Sequence, residues 1–148
     1  MLRWILASLH LLALGIGLGS IWVRARALRA PNDAASIRRV LAADTVWGLA
    51  AALWIATGLA RALGPFEKGS AYYFSNPVFW IKMGLFVLIF ALEIAPMLAF
   101  IGWRRALARG LPVDTSRAAS FARTSELQAI LVVAMVFAAT AMARGLGF

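Results

Sequence analysis

The sequence predicts an all-α integral membrane protein: a bundle of four spanning helices with both termini on the non-cytoplasmic side. Three observations carry that reading. A chain of 148 residues that is 63% hydrophobic and only 14% charged has little room for a soluble domain. The stretch Pro77–Trp103 (PVFWIKMGLFVLIFALEIAPMLAFIGW) is almost unbroken apolar sequence, long enough to cross a ~30 Å hydrocarbon core at about 1.5 Å per residue. The basic residues gather in two loops, one holding Arg24, Arg26, Arg29, Arg38 and Arg39, the other Arg104, Arg105, Arg109, Arg117 and Arg123. The opposite side has only Arg3, Arg61, Lys68 and Arg144. By the positive-inside rule the two rich loops face the cytoplasm. The net charge of +9 is then a matter of topology, and no nucleic-acid-binding module is present.

Helix one is expected over residues 2–23. Its start, with Arg3 ahead of an apolar run, imitates a signal peptide, but the run continues to Val23 and no small-residue cleavage site follows, so it reads as a retained first span. A basic loop follows, in which Pro31-Asn32-Asp33 gives a turn and a helix N-cap. Helix two is expected over 40–63, stopped by Gly64-Pro65. Tyr72, Tyr73 and Phe74 in the next loop suit an interfacial aromatic belt. Asn76 caps helix three, which opens on Pro77 and runs to 103. After a break at Gly110–Pro112, helix four covers 118–143, its first turns amphipathic. The whole chain, 1–148, is one membrane domain.

Polar residues inside the spans are the candidates for function, because hydrocarbon penalises each by about 3 kcal/mol on insertion scales. Lys82 and Glu93 lie 11 positions apart on helix three, about 20° from three full turns, and so share a face that should look into the bundle. His10 on helix one and Lys82 fall at similar depths in the outer leaflet. Arg61 reaches nearly the same level, one face-sharing step of seven from Trp54. These groups form a candidate outer-leaflet site. A histidine on an apolar helix can equally be a packing residue bonded to Ser8 or a carbonyl, and a lysine five residues deep can snorkel to the surface. At the other leaflet Asp44, Glu93 and Glu126 face Arg24 and its neighbours. They serve either as paired bundle glue or as a proton path from Glu126 through Glu93 to Lys82. Gly15-x-Gly17-x-Gly19 allows close helix approach, within the bundle or between copies.

Several chemistries are excluded. With no cysteine and one histidine, the chain forms no disulfide, thiolate centre or multi-histidine metal site, and a bis-histidine haem within one chain is impossible. No hydrolase triad, zinc-protease, phosphate-loop or dinucleotide pattern occurs.

The segments SLHLLALGIGLGSIWVRARAL, RRVLAADTVWGLAAALWIATGL and EKGSAYYFSNPVFWIKMGLFVLIFALEIAPM resemble a bacterial family of small four-span inner-membrane proteins of unknown function. A more distant similarity is to HemJ-type protoporphyrinogen oxidases and CopD-like membrane proteins. The HemJ resemblance implies haem b, with His10 as the metal ligand, and a membrane oxidoreductase acting on a porphyrinogen or electron carrier. Lys82 and Glu93 are the catalytic candidates; His10, Trp47, Trp54 and Arg61 are the cofactor-binding candidates. Lys82, Met83, Met142, water or His10 of a second copy is left for the other axial position. The CopD resemblance implies copper, for which no Met/His-rich box exists here. The competing reading is a non-catalytic accessory subunit of a larger membrane complex, docking through glycine-rich helix one and the Ala50, Ala51 and Gly58 face of helix two.

Overall fold

The computed structural model describes residues 1–64 and 70–145. Five helices form: α1 (Leu2–Ala27), α2 (Ala34–Leu63), α3 (Ser70–Ser75), α4 (Pro77–Ala108) and α5 (Ala118–Ala143). No strand occurs among the described residues. All but α3 are long and apolar enough to cross a membrane. Pro65 and Lys68, which figure in the expected stop and loop charge, lie outside the described residues.

The helices overrun the apolar stretches at the basic end. Helix α1 continues through Arg24 and Arg26, whose positive side chains suit the negative pole of a helix C-terminus. Helix α2 begins at residue 34 rather than 40 because Asp33 and Ser36 close a capping box, Ser36 N donating to Asp33 Oδ1 at 2.7 Å and Asp33 N to Ser36 Oγ at 3.0 Å. Arg26 is exposed on the final turn and costs nothing to hydrate, while Arg24 turns inward, so α1 does not stop where hydrophobicity does. Asn76 caps α4 by accepting from Val78 N at 2.8 Å, with Pro77 at the first helical position. The aromatic run expected as a loop is α3, and Phe74 packs edge-on against Phe79, their ring centroids 5.8 Å apart.

Around the bundle the order is α2, α1, α5, α4, each packed on the next, while α2 and α4 scarcely meet. Two clusters fill the interior. One gathers Val40, Phe100, Trp103 and Phe121 near the basic loops; the other gathers Ile21, Trp47, Ile89 and Val132 in the middle. Outside, Leu11, Leu49, Val87, Ile130 and Phe137 stand exposed. An apolar exterior of this extent is tolerated only against lipid or other apolar helices. Gly17 is the buried glycine of helix α1: a Cβ there would meet the Trp47 ring at 3.3 Å, whereas Gly15 and Gly19 have open space before them.

Candidate functional site

Two polar centres occupy opposite ends of the bundle. At the end near the basic loops, Arg24 is fully buried and spends all five of its N–H donors. Its Nη1 donates to Asp44 Oδ1 at 2.9 Å and to Glu93 Oε1 at 2.6 Å. Nη2 donates to Glu93 Oε2 at 2.8 Å and Gln128 Oε1 at 2.9 Å, and Nε to Ser125 Oγ at 3.1 Å. Gln128 Nε2 returns a bond to Glu93 Oε2 at 2.8 Å. Arg104 takes the other Asp44 oxygen at 3.0 Å and reaches the Leu41 carbonyl and Thr45 hydroxyl of α2. Two guanidinium groups thus meet two carboxylates, and the network ties α1, α2, α4 and α5 together. The expected pairing of these acids with arginines is met. Glu126 belongs elsewhere, bonded to Arg29 on the exposed surface.

The other end is differently built. His10 Nδ1 lies 2.9 Å from Thr57 Oγ1, and its ring sits 5.6 Å from the Trp54 ring. The partner of His10 is therefore Thr57 of α2, not Ser8. Trp54, Thr57, Gly58 and Arg61 fall at helical spacings of three, four and seven, so α2 presents one face to this region. Gly58 makes room for the imidazole: a Cβ there would stand 3.3 Å from His10 Cε1. Beside the histidine lies a cavity of about 360 Å³ walled by all five helices, with His10, Trp54, Arg61, Tyr73, Lys82 and Met142 on its lining. A neighbouring cavity of about 310 Å³ shares His10, Trp54 and Lys82 and opens along the seam between α2 and α4, past Met83 and Phe86. Both volumes are in the range of small-molecule sites, roughly 300–1,000 Å³.

His10, Trp54, Arg61 and Lys82 are thus brought together. Trp47 and Glu93 are placed apart from them. Trp47 packs into the core against Gly17. Glu93 is held by Arg24, 11 residues or about 16 Å of helix from Lys82. A chain Glu126–Glu93–Lys82 has no contiguous links among the described residues.

The cavity lining is basic and rich in donors. No carboxylate stands among its described walls. Lys82 makes no ion pair with a described residue, and Trp54 Nε1 is the one buried side-chain polar atom without a hydrogen-bond partner among them. Three or more potential metal-ligating groups gather nowhere among the described residues. Thr57, Gly58 and Tyr73 belong to the site although no motif marks them; the signal for the first two was their spacing from Trp54 and Arg61.

A family model described as Predicted membrane protein (DUF2214) matches residues 2–147. No curated protein and no solved structure matches the chain.

Proposed function

Starting from a chain that belongs to the DUF2214 family of predicted membrane proteins, we propose that it binds an anionic amphiphile in the cavity at the His10 end. Haem b or a related porphyrin is the member of that class its residues suit, giving the protein a redox role. One observation carries the reading: Lys82 shares an apolar-walled cavity with His10 and Trp54 and makes no ion pair with a described residue. A buried cationic pocket is costly until an anion enters it. The donor set fits a porphyrin. His10 would offer the iron a nitrogen, Lys82 and Arg61 would suit acidic side groups, Trp54 and Phe79 would give apolar contact, and Met83 or Met142, also on the cavity walls, would be a softer donor. When bound, haem supplies one-electron chemistry; the protein's part is to hold the ring, neutralise its acidic groups and exclude water.

The seam between α2 and α4 gives such a ligand a route from the lipid. By the charge bias of the loops, the His10 end faces away from the cytoplasm in a bacterial inner membrane; alkaline phosphatase fused to the C-terminus is then active. The decisive experiment is an absorbance spectrum of detergent-purified protein, alone and titrated with haemin. A Soret band that shifts on binding, and is lost in His10→Ala with the protein still folded, supports the reading. No band in either case sinks it.

A second reading, an accessory subunit of a membrane complex or a homo-oligomer, is favoured by Gly15 and Gly19, which are one turn apart and face open space on α1. It predicts that Gly15→Leu with Gly19→Leu abolishes co-purification without unfolding the monomer.

A further inference from the structure

The hydrogen bonds around His10 settle more than its position. Thr57 is buried, and its hydroxyl has one proton to give. That oxygen stands 2.7 Å from the Leu53 carbonyl and 3.1 Å from the Trp54 carbonyl. Carbonyl oxygens only accept. An oxygen–oxygen approach of 2.7 Å with no proton between would set lone pair against lone pair, so the Thr57 proton lies on the line to Leu53, as in helical threonine back-bonding. The remaining contact, 2.9 Å to His10 Nδ1, must then be donated by the histidine. We infer that Thr57 locks neutral His10 as the Nδ1–H tautomer, which leaves Nε2 as an unprotonated nitrogen base for whatever the cavity takes. The bond to Thr57 is made by Nδ1, and His10 lines both cavities.

The consequence is chemical. Among the other polar groups of the lining, which include the Tyr73 and Thr140 hydroxyls, Lys82, Arg61 and the Trp54 N–H are donors suited to oxygen acceptors on a ligand. His10 Nε2 alone offers a nitrogen lone pair, so the ligand must bring an electron-pair acceptor to that point: the iron of a porphyrin, or an acidic O–H or N–H. Thr57 acts as a positioning residue, with Gly58 keeping the ring from being pushed aside. This assignment rests on the cavity being a binding site, but the tautomer itself can be read without any ligand.

The chain has a single histidine, so full-length protein labelled with nitrogen-15 at histidine reports one side chain only. In nanodiscs near neutral pH the expected spectrum has Nδ1 protonated and Nε2 bare. Thr57→Val, which keeps the shape and removes the oxygen, is expected to give mixed tautomers and to weaken haemin binding about 10–100-fold, the usual cost of losing a ligand histidine's outer partner. Thr57→Ser restores both. A wild-type spectrum with Nε2 protonated, or with both nitrogens protonated, overturns the inference. So does a Thr57→Val protein with unchanged tautomer and affinity. If that variant fails to fold, the wild-type spectrum alone decides. A bare Nε2 without any Soret band leaves the lock standing and removes haem; a Soret band with Nε2 protonated before binding does the reverse.

Discussion

The Arg24 end and the His10 end both place ionisable groups inside the bundle, yet they are opposites. Around Arg24 two guanidinium groups meet two carboxylates, every donor of Arg24 is spent, and four helices converge on the network. Around His10, Lys82 makes no ion pair among the described residues, a Trp54 donor is left over among them, and about 360 Å³ stands beside the histidine. The difference separates two uses of buried polarity. A saturated network in a closed space holds a fold together; an unsaturated one beside a cavity is completed by something else.

The sharpest way to break the contrast is at Arg24. Arg24→Met strands Glu93 and half of Asp44 in the interior, and a loss of about 3–5 kcal/mol is expected, read as a collapse of the thermal unfolding midpoint in detergent. Adding Glu93→Met should return part of that loss, because the second substitution removes the carboxylate that the first left unpaired. An Arg24→Met protein as stable as wild type would mean the network is incidental.

Lys82→Met tests the other end and should do the reverse. With no described ion pair to lose, the unfolding midpoint is expected to hold or rise, while haemin affinity falls about tenfold, the equivalent of ~1.4 kcal/mol for one charged contact. Unfolding of this variant would make Lys82 structural and erase the distinction.

The smallest effect lies outside the membrane. The Ser36 hydroxyl and amide bonded to Asp33 hold its carboxyl below the ordinary value of 3.8. A depressed folded value means the cap stabilises at higher pH, and its contribution fades as the pH falls from that ordinary value through the lowered one. Asp33→Ala should flatten this part of the pH–stability curve and fray the start of α2, seen as faster amide exchange over residues 34–37.

Much of this was legible beforehand where one-dimensional information suffices. The four spans follow from run length, the capping of α2 and α4 from Asp33 and Asn76, and the pairing of inner acids with arginines from the cost of leaving either alone. The helix ends were not legible from hydropathy, because a buried Arg24 and a solvated Arg26 belong to the last turn of α1, which runs to residue 27, and capping carried α2 back to 34. Lys82 and Glu93 share a helical face, but a common face does not mean a common site: with about 16 Å of helix between them, each joined a different end.

By itself the sequence determined that this chain is a membrane bundle and which few residues carry charge into it, since the cost of exposing backbone or charge to hydrocarbon is paid residue by residue. Tertiary packing decided the rest. Thr57 is 47 residues from His10 and Glu93 is 69 from Arg24, and hydrogen bonds are short and directional. Which polar groups saturate one another, and which are left facing an empty space, is therefore fixed only when the helices are laid side by side.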